Sequence, residues 1–391
     1  MNMSQQFFPS QHVSGLSTVQ IEQFGQRIDE IRQRIILDLG EKDARYIRKI
    51  RNFVRYSEAG ARTLLTFAAW LPPVWLAATA LLGVSKIVEN MELGHNVMHG
   101  QFDWLNDQSL NGSRYDWDTI ATGDDWRYCH NYIHHTYTNI VGQDHDVGYG
   151  LLRVSQAQPW EVRFIWNIPL AIQLMLFFEW YVGLQNLHLE DVMVYKRKTW
   201  SAVWQQSAGV RRKALRQVLK DYVFFPAISG INAPAVFTAN FTANIIRNIW
   251  ASAVIFTGHF TEQAQTFSQV PNGEESRAEW YIRQILGSSN FTGAQWLHIL
   301  SGNLSHQIEH HLFPDLPANR YAEIAPEIEA LCQEYGLYYN QANFAKQFLG
   351  VWQRLAEHAL PDDLSISETA ALLLKRSGQG LVRRFKARWR N

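Results

Sequence analysis

Three stretches of this chain repeat one spacing of imidazoles, and that spacing suits a metal. His95-Asn-Val-Met-His99 is H-x3-H. His130-Asn-Tyr-Ile-His134-His135 and His306-Gln-Ile-Glu-His310-His311 are both H-x3-H-H, and His259 stands alone between them. On a helix, residues four apart share a face, so each pair can present two ring nitrogens to one point. Imidazole suits Zn, Cu, Fe and Ni. Eight or nine such donors exceed what one ion can use and divide naturally between two. A catalytic zinc takes three protein ligands and keeps one position open. That would leave most of these rings idle, and no H-E-x-x-H occurs. Soluble di-iron proteins rely on Glu and Glu-x-x-His ligands, whereas these stations contain one acid, Glu309. An all-imidazole pair of irons matches dioxygen chemistry on unactivated C–H bonds, where the metal carries the difficult step and the protein positions the substrate.

Carboxylates crowd the stations: Glu89, Glu92, Asp124, Asp125, Asp144 and Asp146. Metal-bound histidines usually donate their other N–H to such a group, so some of these acids are expected to orient rings. Asn303 and Gln307 offer a weak or water-mediated ligand. His12, His188 and His358 read as ordinary histidines, and His298, one helical turn before the third station, is undecided.

The elements that must carry these residues are helical and in part apolar. Residues 1–60 read as a polar helical segment, 61–360 as a membrane domain with the stations, and 361–391 as a basic tail. The first uncharged stretch, Leu64 to Ser85, is split by Pro72-Pro73. Its length permits one crossing of a bilayer, since ~20 apolar residues suffice. A single crossing would put the basic residues 42–62 and the first station on opposite faces, so a hairpin turning near Pro72-Pro73 is expected. A second apolar stretch runs from Phe164 to Leu189, and a third from Tyr222 to Phe260, broken at Gly230/Pro234. If both of these cross, the connection 190–221 lies outside while carrying eight Lys and Arg residues, against the positive-inside tendency. Either that loop is an exception or one stretch is re-entrant. The stations lie beyond the ends of the apolar stretches, which places the metals just on the aqueous side of the membrane surface.

Composition agrees with a protein half in lipid and half in water. Aromatics make up 13% of the chain, with fifteen Trp, and such rings favour the lipid–water boundary. Mean hydropathy is slightly negative, which excludes a carrier made mostly of spans. The basic residues of 42–62 and of the last seventeen positions favour the cytoplasmic side and anionic headgroups. Cys129 and Cys332 are the only cysteines, so no disulfide framework and no four-Cys iron–sulfur site is encoded. The start, MNMSQQFFPSQHVSG, lacks a basic-then-apolar signal, and a secreted fate is not expected.

These residues resemble the integral-membrane fatty acid desaturases. The three boxes, the lone histidine and the string GNLSHQIEHHLFPDLPANRY match that pattern, and the resemblance covers roughly residues 30–360. More narrowly, ENMELGHNVMHGQFDWLND, WRYCHNYIHHTYTN and DHDVGYGLLRV look like bacterial stearoyl-CoA-type delta-9 desaturases of the mycobacterial kind. The resemblance implies an all-α integral membrane protein with about four transmembrane helices under a cytoplasmic helical cap. It implies two non-haem irons and O2-dependent insertion of a cis double bond into a long-chain acyl-CoA or acyl-lipid. The ligands it implies are His95, His99, His130, His134, His135, His310 and His311, with His259 as the lone one. For the remaining position, members with QIEHH use the glutamine, here Gln307, and this chain also has His306. His130 holds the same relation to its own pair as His306 does, so helix geometry leaves both open. His306 is preferred here because imidazole is the stronger donor.

Each turnover needs two external electrons. The chain has no H-P-G-G haem segment, no iron–sulfur cysteines and no G-x-G-x-x-G turn, so a separate NAD(P)H-dependent reductase of ferredoxin type is expected. Arg127 and residues 42–62 are candidates for contacting CoA phosphates or lipid headgroups, and nothing suggests a nucleic acid. The expected location is a bacterial inner membrane, with the site facing the cytoplasm. Competing readings are a front-end or acyl-lipid desaturase and a membrane hydroxylase such as an alkane monooxygenase, although the E-H-x-x-G-H-H and N-Y-x-E-H-Y-G strings of such hydroxylases are absent. A metal transporter would place ionisable ligands midway through its spans, which these stretches do not do.

Overall fold

A computed structural model describes residues 15–193, 196–268 and 275–362, and nearly all of the expected tail 361–391 lies outside the described residues. The protein is mostly helical. Helix α1 (Thr18–Leu37) starts at a capping box between Ser17 and Gln20 and buries Phe24, Ile28, Ile31 and Ile35, a one-faced stripe. Helix α2 (Glu41–Ala68) and α3 (Pro72–Val88) form the expected hairpin. Proline is tolerated in the first turn, where the N–H has no helical partner anyway, so Pro72-Pro73 starts α3 rather than breaking it. Ala61, Leu65 and Ala69 of this hairpin bury against Ala78 and Leu82, and Ser85 Oγ donates to the Val54 carbonyl at 3.1 Å. Helix α3 runs on through a wide-turned π segment, Glu89–His95, into Asn96–Met98.

Helix α4 (Gly123–Trp126) likewise passes into a π segment, Arg127–His134, and ends at Tyr137. Then come α5 (Asn167–Leu176), α6 (Phe178–Gln185) and α7 (Ala208–Val218). Helix α7 continues to Ile228, reverses over Gly230–Asn232, and returns as α8 (Ala233–His259). Gly230 makes that reversal with φ +57, a conformation costly for residues with a Cβ. The two hairpin tips are tied together: Asn232 Nδ2 donates to the Thr66 carbonyl at 2.9 Å, and Trp75 Nε1 to the Ala235 carbonyl at 2.9 Å. Large apolar side chains face outward around these tips, among them Phe67, Trp70, Leu76 and Ile231.

Among the described residues, Pro72–Met98 is the one helical run long and apolar enough to cross a bilayer by length and composition, and the 162–185 pair would pass only as a span bent by 95°. Both ends of that bent pair are tied to other elements of the fold. Before the bend, Asn167 holds the Leu355 carbonyl, and after it Gln185 holds Asp146, beside the second station. Both ends of the stretch are thus held on the side of the fold that carries the stations. The cations of the following connection pair on that same side: Lys213 with Asp116 and the Trp117 carbonyl, Lys220 with Asp118.

Further along come helices α9 (Arg277–Gly287), α10 (Gln307–Leu312), α11 (Tyr321–Glu334) and α12 (Phe344–Glu357). With α1, helices α9–α11 enclose a core of Phe24, Ile285, Ile308, Phe313 and Ile324, while α12 packs its Val351 and Leu355 into a second one with Leu174 and Val254. A short parallel pair, β1 (Asn290–Thr292) and β2 (Gln341–Asn343), fixes the third station from beneath. Asn290 accepts from the Ile308 N–H at 2.9 Å and donates to Glu309 at 2.8 Å.

Candidate metal centre

The π segment Arg127–His134 explains the H-x3-H-H grammar of the second station. An i→i+5 turn widens the helix locally, so the fourth and fifth residues onward both lean toward the face of the first. In Arg127–His134 this brings His130, His134 and His135 to one side, with ring centroids 5.0 to 5.5 Å apart.

The rings converge on two foci. The ligating atoms of His95, His99, His130 and His310 lie within 4.8 Å of one another, and so do those of His134, His259 and His311. His135 lies between the foci and groups with His310 and His311. The donor set fits metal. His259 Nε2 and His311 Nε2 approach to 3.0 Å, about the separation of two nitrogens that sit ~2.1 Å from one ion at a right angle. The Nε2 atoms of His99, His130, His135 and His310 are buried without a partner, a condition that is costly unless a ligand meets them.

On five of these rings the other nitrogen is held. His134 Nδ1 faces both oxygens of Asp144 at 3.1 and 3.0 Å, and Asp144 is itself fixed by the Asn139 and Asp146 N–H groups. His130 Nδ1 lies 3.5 Å from Asp146. His95 Nδ1 meets Asn96 at 3.0 Å, and Asn96 is anchored on Glu92, which also takes bonds from Tyr46 and Asn303. His311 Nδ1 meets Gln284 at 2.9 Å, and His310 Nδ1 the Tyr321 hydroxyl at 3.3 Å. Such bonds fix tautomer and orientation, leaving Nε2 for a metal. Burial, reinforced by neighbouring imidazoles, keeps His99, His135, His310 and His311 well below the ordinary histidine range and therefore neutral. Burial acts the same way on His134, but the Asp144 and Asp146 carboxylates outweigh it and raise its pKa to about 9.

Of the nine histidines expected as ligands, the structure brings together His95, His99, His130, His134, His135, His259, His310 and His311. It does not bring His306 to either focus. That ring stacks on His298 at 5.1 Å and leaves its nitrogens without partners. Gln307 stands at the second focus instead, its Nε2 3.0 Å from His259 Nε2 and its Oε1 free. The reason is local: His306 ends a 3-10 turn with φ −104 and ψ 56, and the α-helix starts only at Gln307. Asn303 is occupied by Glu92 and Tyr46. Glu89 holds the Asp118 N–H, Asp125 holds Thr122 and Asn186, and Asp124 pairs with Arg127. Arg127 also clamps the Gly112 and Tyr115 carbonyls, a structural duty. Asn96, Gln284 and Tyr321 were not anticipated from the sequence; for Asn96 the signal was its place inside the first box.

A channel leads away from the centre between α3, α6 and α8. Its empty space is about 1080 Å³ counting the open mouth. The walls are mainly apolar, including Met91, Phe178, Val182, Ile255 and Leu304, while His95, His130, His134, His259 and Gln307 line the metal end.

Residues 69–343 match the fatty acid desaturase family model. The chain is 44% identical over 352 residues to the NADPH-dependent stearoyl-CoA 9-desaturase of Mycobacterium tuberculosis strain H37Rv, covering 89% of this chain and 82% of that protein. It is 28% identical to the sn-1 linoleoyl-lipid 6-desaturase of a Synechocystis strain, covering 71% and 79%. The acyl-lipid (8-3)-desaturase of Physcomitrium patens is 26% identical, over 55% of this chain and 45% of that one. With its histidines gathered at the head of an apolar channel and most of its length matched, this chain belongs to the fatty acid desaturase family and is an oxidoreductase that desaturates acyl chains.

Proposed function

We propose that the protein places a cis double bond at carbon nine of a long-chain acyl-CoA, using two irons. His95, His99, His130 and His310 would hold one ion. His134, His259 and His311 would hold the other, with His135 between them and Gln307 as a weak or water-mediated donor at the second. The observation that carries this reading is the convergence of eight imidazoles on two foci at the end of a mainly apolar channel. Bound iron, with O2 and two electrons, supplies an oxidation that takes one hydrogen from each of two neighbouring methylenes and, with two protons, returns the oxygen as two waters. The chain's own residues do the rest. Met91, Phe178, Val182 and Ile255 bind the alkyl chain and exclude water, and Asp144 and Asp146 hold protons at Nδ1 of His134 and His130 so that Nε2 faces the ion. Trp126, stacked on His130 at 4.5 Å, keeps that ring in place.

The substrate assignment rests on the greater similarity to a protein named as a stearoyl-CoA 9-desaturase than to those named as lipid desaturases. The electrons would come from NADPH through a separate ferredoxin-type reductase, since that relative is named NADPH-dependent. The two helical hairpins would supply four membrane helices under a cap of α1 and α9–α12. The bent α5–α6 pair would lie at the interface, and the basic segments 42–62 and 196–220 would face the cytoplasm of a bacterial inner membrane. The test is expression in a bacterium lacking aerobic desaturases, with double bonds mapped by mass spectrometry. New cis bonds at carbon nine, absent with His134→Ala, are expected. New bonds at another position, or none, would overturn the assignment.

A further inference from the structure

Glu179 and Asn248 face two cavities at once. On one side they line the channel that leads from the metal centre. On the other they line a separate hollow of about 440 Å³. Its rim residues Phe177, Trp180, Val218 and Phe241 are each more than a third exposed, so this hollow lies at the surface. Arg247 completes the partition. Its guanidinium pairs with Glu179, and it donates to Asn248 Oδ1 at 3.0 Å and to the Asp118 carbonyl at 3.4 Å. Asn248 in turn donates to the Leu176 carbonyl at 2.9 Å, at the bend between α5 and α6. The side chains of Arg247 and Glu179 are only 3% and 9% exposed. An alkyl chain cannot pass such a wall without separating a buried, hydrogen-bonded ion pair, which leaves uncompensated charge.

We infer that the Glu179–Arg247 pair, braced by Asn248, is the stop for the methyl end of the acyl chain and so sets the chain length accepted. This rests on the acyl-desaturase reading above. Length supports it. Arg247 and His259 lie on one helix, twelve positions or ~18 Å apart. After the reach of the imidazole and metal at one end and the guanidinium at the other, roughly 12 Å remain, and a zigzag advancing ~1.2 Å per bond holds on the order of ten carbons there. An eighteen-carbon chain unsaturated between carbons nine and ten places eight carbons beyond the double bond. Removing the partition would join the channel to the surface hollow.

The test supplies acyl chains of graded length to the full protein in its membrane and reads the ratio of long to short unsaturated products, with iron content as a control. The pair Glu179→Ala/Arg247→Ala removes both charges together and leaves neither charge orphaned. It should raise the share of chains two or more carbons longer by about tenfold, the order of discrimination a pocket makes against an extra methylene. The swapped pair Glu179→Arg/Arg247→Glu keeps the stop and should keep the parental ratio. Asn248→Ala opens the same wall while keeping the Glu179–Arg247 ion pair and should shift the ratio in the same direction, so it decides the matter if the alanine pair does not accumulate. A parental ratio in either opened variant at parental iron content overturns the inference, as does a swap that lengthens products as the alanine pair does. Absence of any new double bond from the unmodified protein would instead remove the desaturase reading on which the inference stands.

Discussion

Replacing Asp144 by Asn tests how the second focus is held. Each Asp144 oxygen accepts one backbone N–H, from Asn139 at 2.8 Å or Asp146 at 2.9 Å, and both lie near His134 Nδ1. An asparagine has one oxygen, so in either orientation its NH2 confronts a backbone N–H. An unsatisfied buried donor costs ~1–3 kcal/mol, and that sum should appear as lost stability. The ring suffers separately. If the NH2 also turns toward His134, Nδ1 must give up its proton, and the other tautomer blocks Nε2. Losing such an orienting partner typically lowers metal affinity 10–100-fold, about 1.4–2.8 kcal/mol. The assay is iron per chain, by elemental analysis, after equilibration against a graded chelator, with melting followed in parallel. Asp144→Asn should release one iron at a lower chelator concentration and keep the other, because Asp144 touches no ring of the first focus. Parental retention of both irons would refute the reasoning.

His306→Ala is expected to keep both irons, whereas Gln307→Ala should weaken one by about tenfold; iron counts on the two purified variants decide between them. Gly258→Ala should lower activity with little change in melting, because its Cβ would come within 2.9 Å of the Gln307 side chain and push it from the focus. Gly302→Ala should be poorly folded, losing about 2 kcal/mol or more: its φ is +71 and its Cβ would lie 2.4 Å from the Met91 carbonyl oxygen, which thermal melting would show. With its pKa at about 9, metal-free His134 is protonated at neutral pH, so an ion must displace that proton. Affinity at the second focus should therefore rise about tenfold per pH unit up to about 9, and a flat cobalt-binding profile between pH 7 and 8 would contradict this.

The two reversals were legible because proline and glycine announce them: Pro72-Pro73 and Gly230/Pro234 both sit where the chain turns back. The partners of the cations in 190–221 were not, because those cations were weighed only as a signal of membrane sidedness. In the folded protein Lys213 and Lys220 answer Asp116 and Asp118, acids some hundred residues earlier. No local pattern reveals such a pairing. Seven of the eight converging histidines were legible in their spacing, and His259, which stands alone, in the resemblance. Gln307 over His306 was not, since it depends on where a helix begins. His130 lies inside an unbroken wide-turned helix, while His306 falls one residue before α10 and turns aside. An analogy between equal spacings fails when one of them crosses a helix boundary.

The spread of donors along the polypeptide has a consequence for biogenesis. Each focus takes a donor from the last box, His310 for one and His311 for the other, and that box is seated on Asn290 and Tyr321. If the two foci hold two ions as proposed, neither set of donors is complete while the ribosome is still making the first three hundred residues. Loading is then a late event, after translation has passed the third box, and a nascent chain stalled before it holds an open, half-built cage.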